Sequence, residues 1–231
     1  MKINFHRYWK GMVSRGVIKA VIFDMDGVLL DTEKHYNAGW CQAATEAGFP
    51  FTREHALLLR SCDAKLGEKL MQDLFGKEFD YYAIRERRRE IVAQRITEYG
   101  LERKPGLDEI LTFLHEKGIK AAVATATALE LTTQHLQNIG VYDRFDKIVS
   151  AKQVKNGKPA PDVYLYACEQ IGENPEDCIA VEDSPNGILS AYRAGCKPVM
   201  VPDLTQPDDE LNKYLYRCVD TLADIRSIIE E

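Results

Sequence analysis

The stretch VIFDMDGVLLDT, residues 21–32, sets three aspartates within eight positions directly behind a short apolar run. With residues 18–20 in front of it, that run reads as a buried strand over 18–23, short and rich in β-branched side chains. Carboxylates at the mouth of a core strand destabilise a fold unless a partner meets them. Gly27, directly behind Asp24 and Asp26, lets the chain turn where a side chain would crowd an incoming group.

Similar short runs recur at 120–125, 147–151, 178–183 and 197–201. Between them lie helical patterns. Residues 107–118 carry apolar positions at 107, 110, 111 and 114 before a glycine stop, and 128–140 and 162–172 also end at glycine. Residues 184–195 open with a serine cap and Pro185 in the first helical position, and close at Gly195. Strands alternating with helices predict a parallel sheet flanked by helices on both faces. Residues 24–119 contain no strand pattern and read instead as helices at about 33–47, 54–59, 65–75 and 81–99. The expected organisation is an α/β core over 18–31 and 105–231, an all-helical cap over 32–104, and an N-terminal extension over 1–17. The two linkers near 30–33 and 103–106 are expected to act as a hinge.

A chain of 231 residues suffices for one large domain or a domain with a smaller insert. It is 45% hydrophobic and 29% charged, an ordinary soluble composition. No apolar run nears the roughly 18 residues of a membrane helix, so no membrane partner is expected. A net charge of −6 argues against nucleic acid. The six cysteines are scattered singly, with no C-x-x-C, which suggests a reduced, cytoplasmic protein. Residues 1–17 are basic and aromatic; they lack the apolar core of a secretory signal and most of the serine of a transit peptide.

Open parallel sheets bind ligands at the carboxyl ends of their strands. Asp24 and Asp26 follow the first strand, Thr125 ends the second, Lys158 comes after the third, and Glu182 and Asp183 follow the fourth. Asp24 and Asp183, with Glu182 alongside and a backbone carbonyl, make a hard oxygen site suited to Mg²⁺. Thr125, Lys158 and the free amides of the turn after Asp24, beginning at Met25, suit a phosphate. Once metal and Lys158 neutralise the repulsion, Asp24 can attack phosphorus. Asp26 can protonate the leaving oxygen and later deprotonate water.

The DMDGV segment at 24–28, Thr125, Lys158-Pro159 and VEDSPNGI at 181–188 match, in order, the four motifs of the haloacid-dehalogenase-like superfamily. The sequence most resembles its branch of β-phosphoglucomutase and small-molecule phosphatases with a helical cap, over roughly residues 18–229. The resemblance implies a Rossmann-like core, Asp24 as a nucleophile forming an aspartyl-phosphate, and Asp26 as general acid and base. It also implies Mg²⁺ held by Asp24, the Asp26 carbonyl and Asp183 with Glu182 nearby, and phosphate held by Thr125, the Ala126 amide and Lys158. The partner is then a small phosphorylated metabolite, and the chain a monomer or weak homo-oligomer.

Taken singly, Asp183-Ser184-Pro185 reads as a helix cap, Thr125 as a strand residue and Lys158-Pro159 as a surface loop. Together, at consecutive strand ends, they read as a site. Asp31-Thr32 is most simply the capping pair of the first cap helix, and in the family also lies at the hinge. Tyr36 and Trp40 share a helix face and belong either to the cap core or to the substrate's surroundings. The run RERRRE, 85–90, reads as a solvated, ion-paired face. The five histidines show no ligand spacing.

The related mutases carry a histidine where this chain has Tyr36, and His35 is about 100° away around a helix. Their arginine for a second phosphate falls on Ala64, with Arg60 and Lys65 as displaced candidates, and Leu129 replaces an asparagine. These departures favour a phosphatase, with a mutase as the alternative. A binding module without turnover comes third, because no nucleophile or metal ligand is missing.

Overall fold

The first apolar run forms β1 (Ala20–Phe23), and all four residues are buried. Val21 and Phe23 face one hydrophobic cluster while Ala20 and Ile22 face another, the two-residue period of a strand covered on both sides. This computed structural model describes residues 17–231; the expected N-terminal extension, apart from Val17, lies outside the described residues.

After β1 the chain leaves the sheet for four helices, α1 (Glu33–Glu46), α2 (Arg53–Leu57), α3 (Ala64–Phe75) and α4 (Tyr81–Tyr99). It returns through α5 (Leu107–Lys117) and β2 (Lys120–Thr125), then α6 (Leu129–Asn138), β3 (Lys147–Ser150) and α7 (Asp162–Ile171). It ends with β4 (Cys178–Glu182), α8 (Pro185–Ala194), β5 (Lys197–Met200), β6 (Arg217–Cys218) and α9 (Ile225–Glu230). The six strands are all parallel, in the order β3-β2-β1-β4-β5-β6. Apolar residues of α5, α6 and α9 cover one face, and those of α7 and α8 the other.

The helical insert has its own core of Trp40, Phe51, Met71, Phe79 and Tyr81. Trp40 lies 5.5 Å from the Tyr81 ring and 6.4 Å from Phe51. Each such side chain, fully buried, stabilises the insert by about 1.5–3 kcal/mol. Asp63 and Asp80 cap α3 and α4, accepting from the Leu66 and Ala83 amides at 2.8 and 3.0 Å. The exit and return linkers lie side by side: the Asp31 amide donates to the Glu102 carbonyl and the Lys104 amide to the Leu29 carbonyl, both at 3.0 Å.

Two elements carry no usable sequence pattern. β6 has two residues and α9 six, too few for a period to show. Thr32 also differs from expectation. It sits at the N-cap of α1 but makes no side-chain cap bond there; its hydroxyl goes elsewhere. Among the described residues, no helix is long and apolar enough to cross a membrane.

Candidate active site

In-register pairing sets Phe23 between Val123 and Val181. One residue further along, the three chains deliver Asp24, Ala124 and Glu182 to the same edge. Lys158 arrives from the loop after β3, and its ammonium donates to one acceptor from each: Asp24 Oδ1 at 2.5 Å, the Ala124 carbonyl at 3.0 Å and Glu182 Oε1 at 2.6 Å. An ammonium has three donors, and all three are used, which is what permits a lysine only 1% exposed to keep its charge. Burial alone would lower its pKa, but Asp24 and Glu182 outweigh burial and hold it above the ordinary value.

Glu182 engages both carboxylate oxygens within the protein. Oε1 also accepts from the Tyr164 hydroxyl at 2.7 Å, and Oε2 from the Asp183 amide at 3.3 Å and Ser184 Oγ at 3.4 Å. Its close neighbour is Gly187, where any Cβ would overlap the carboxylate. Ser184 caps α8, accepting from the Gly187 amide at 3.2 Å, so Asp183 is not the capping residue and its side chain is left to the site.

Ligand atoms of Asp24, Glu182 and Asp183 lie within 4.8 Å of one another, all buried. Arg60 from the insert pairs with the Asp183 carboxylate, donates to its carbonyl at 3.1 Å and to Thr205 Oγ1 at 2.9 Å, and lies 3.5 Å from Glu33. Asp183 Oδ1 is nevertheless buried with no hydrogen-bond partner. That orphaned oxygen, within a set of hard oxygen donors, fits a divalent cation. Burial pushes the Asp24 carboxyl well up, against the charge of Lys158 and with Glu182 adding repulsion. Burial likewise pushes Asp183 up to about 7 although Arg60 opposes it. In both, desolvation outweighs the neighbouring cation.

Asp26 is half-buried, and both its oxygens are held. Thr32 Oγ1 donates to Oδ1 at 2.6 Å and Thr127 Oγ1 to Oδ2 at 2.7 Å. The hydroxyl expected to cap α1 therefore orients Asp26 instead. Thr125 is 1% exposed and its Oγ1 accepts from the Thr127 amide at 3.1 Å. The Met25 side chain is in the core, leaving only its main chain for a ligand. Gly27 has φ +84°, and a Cβ there would strike the Asp183 carboxylate. We expect Gly27→Ala to destabilise the protein by about 1–2 kcal/mol from conformation alone, read as a lowered urea midpoint. An unchanged midpoint would show that the turn can relax.

Asp24, Asp26, Thr125 and Ala126 line a cavity of about 740 Å³ between the sheet edge and the insert, while Lys158, Glu182 and Asp183 lie buried behind that lining. Tyr36, Trp40 and Arg60 line it too. Trp40 belongs both to the insert's core and to the cavity wall. Lys65 is exposed in the first turn of α3 and is not among the lining residues, so it is not brought to the site. His35 is buried, stacked 6.0 Å from Tyr99 and outside the lining, as its angular offset from Tyr36 requires. Glu33, Tyr164 and His135 carry no signal in the sequence pattern, although His135 lines the cavity with Nδ1 buried and unpartnered. A lone residue in a helix pattern carries no chemistry until the fold shows what it faces. The run 85–90 also departs from expectation. Arg87 and Arg89 do pair with acids, but Arg85, Arg88 and Arg89 line the cavity.

A family model described as haloacid dehalogenase-like hydrolase matches residues 21–201. The chain is 32% identical over 182 residues to the phosphorylated carbohydrates phosphatase of Thermotoga maritima, covering 79% of this chain and 84% of that protein. It is 27% identical over 186 residues to the beta-phosphoglucomutase of Bacillus subtilis, covering 77% and 80%. The crystal structure of beta-phosphoglucomutase from Clostridium difficile matches with a TM-score of 0.78 over 92% of this chain and 96% of that one, at 24% identity, a likeness of fold.

Proposed function

The chain belongs to the haloacid dehalogenase-like hydrolases, and from that premise we propose that it is a Mg²⁺-dependent phosphatase acting on a small phosphorylated metabolite such as a sugar phosphate. The proposal rests above all on Lys158 and three carboxylates converging where β1, β2 and β4 end, with Asp24 of that cluster facing a cavity. The oxygens of Asp24 and Asp183 and the Asp26 carbonyl would hold the metal, with Glu182 supplying charge behind Lys158. When bound, Mg²⁺ would neutralise phosphoryl oxygens and make phosphorus open to an anionic nucleophile.

Asp24 attacks phosphorus, and the bond from phosphorus to the alcohol oxygen breaks. Asp26 gives its proton to that oxygen, leaving an aspartyl-phosphate on Asp24. Asp26, now a carboxylate, takes a proton from water as the water attacks phosphorus, and Asp24 is released with inorganic phosphate. Thr32 and Thr127 fix Asp26 for both transfers. The Lys158 ammonium and the amides of Met25 and Ala126 favour the extra negative charge, with Thr125 ordering the turn beside them. The helical insert over 32–104 acts as the cap, and the paired linkers as its hinge. The six cysteines are free, which suits a cytoplasmic setting.

A β-phosphoglucomutase activity is the second reading, favoured by the likeness to the Bacillus subtilis protein. Against it stands Tyr36, whose hydroxyl lies by Thr127 where the mutases have a histidine; burial holds the phenol above its ordinary pKa, so it does not replace an imidazole base. Phosphate release from a panel of phosphorylated metabolites, with Mg²⁺ and with EDTA, tests the proposal. Release with Mg²⁺ that falls to background in EDTA is expected. Conversion of β-glucose 1-phosphate to the 6-phosphate without release would replace it with the mutase.

A further inference from the structure

The charges around the cavity are segregated. Asp24 and Asp26 lie at the sheet edge with Glu33 beginning α1, while α4 presents Arg85, Arg88 and Arg89, and Lys152, just past β3, lines the same space. Lys158 is already fully bonded beneath Asp24 and Arg60 is tied to Asp183. The α4 cations are therefore additional to these two, neither of which is free to pair with a further anion.

Their partners distinguish them from an ordinary solvated face. Arg87 pairs with Glu46 at 2.7 Å and Glu90 at 2.8 Å, and Arg89 with Glu86 at 2.6 Å. Arg85, Arg88 and Lys152 have no carboxylate within salt-bridge distance among the described residues. The Arg88 guanidinium lies 5.0 Å from the Tyr36 ring and 5.1 Å from Trp40, and its Nε is buried without a partner. Two aromatic faces thus fix its plane and leave its donors unused. Burial first, and then the charges of Arg85 and Arg89, lower the Lys152 ammonium against a smaller pull from Asp63, so like charges confront one another across the gap between insert and core. Holding unpaired cations together in a half-buried cavity is unfavourable until an anion joins them.

We infer that Arg85, Arg88 and Lys152 form a second anion subsite in this cavity, and that the substrate carries, besides the phosphate that reacts, a further phosphate or carboxylate. This rests on the phosphatase reading for the floor of the cavity but not on turnover, since an anion would bind here whether or not Asp24 reacts. Because the subsite is shared between α4 and the core, a doubly anionic ligand would also draw the insert down onto the sheet edge.

The test is calorimetric titration of the Asp24→Asn protein, which cannot form the aspartyl-phosphate, with Mg²⁺ present. The probes are fructose 1,6-bisphosphate against fructose 1-phosphate, and 6-phosphogluconate against glucose 6-phosphate. The doubly anionic member of at least one pair is expected to bind about tenfold or more tightly, a charge-assisted contact being worth about that much. The pair that shows the preference tells phosphate from carboxylate. In Asp24→Asn carrying Arg85→Gln and Lys152→Gln the preference should shrink toward unity. The ligand-free thermal midpoint should hold or rise, because repulsion is relieved. No preference in either pair, or a preference that survives both substitutions, would overturn the subsite. Phosphate release by the wild type is scored separately, so a failed subsite leaves the phosphatase standing, and a failed phosphatase leaves the binding result intact.

Discussion

Asp24→Asn is expected to abolish phosphate release, with kcat falling at least about 10³-fold, while the protein stays folded. The amide has the shape of the carboxylate but no charge with which to attack phosphorus. The barrier rises by at least about 4 kcal/mol, since each 1.36 kcal/mol is a factor of ten. Folding should survive because Asp24 sits in a desolvated place that already pushes its carboxyl up. Lys158 retains the Ala124 carbonyl and Glu182, and the new amide oxygen can still accept from it. Phosphate release and a thermal melt of the metal-free protein, measured side by side, separate the two effects. Activity within tenfold of wild type would remove Asp24 from the role of nucleophile. A collapsed melt would make the loss of activity uninformative.

Lys158→Met should do the reverse and damage both. The methionine fills similar volume but leaves Asp24 and Glu182 buried together without their cation. Removing one partner from a buried charged cluster costs about 3–5 kcal/mol. The pH dependence has a definite sign. Without Lys158, the largest influence opposing burial at Asp24 is gone, so its folded carboxyl rises further above an unfolded value near 4. A carboxyl raised on folding binds its proton more tightly in the native state, so stability is lost as pH climbs from that unfolded value toward the folded one. Urea unfolding in EDTA should therefore show the smallest deficit near pH 5 and a larger one near pH 8. A deficit that stays flat with pH would mean that lost packing, rather than stranded charge, accounts for it.

Both predictions concern residues legible before any fold was known. DMDGV and VEDSPNGI end runs short enough and β-branched enough to read as strands, and strand ends are where parallel sheets bind ligands. The glycine stops and serine cap placed the helices for the same reason: period, capping and turn preference are local. What the sequence left open was set by meetings between distant segments. Arg60 and Lys65 looked equivalent in one cap loop, yet Arg60 reaches Asp183 and Lys65 faces outward. The Thr32 hydroxyl had its own helix amides within reach, but Asp26 took it.

The run 85–90 makes the contrast sharpest. Its composition foretold a charged helix face, and Arg87 and Arg89 comply by pairing with acids, one of them Glu46 in α1. Arg85 and Arg88 lack such partners because the packing of α4 against α1 turns them to the cavity. Local periodicity determined that a helix and four strand ends would exist. Only the tertiary structure decided which charges those elements leave unpaired, because pairing depends on what the rest of the chain brings within a few ångströms.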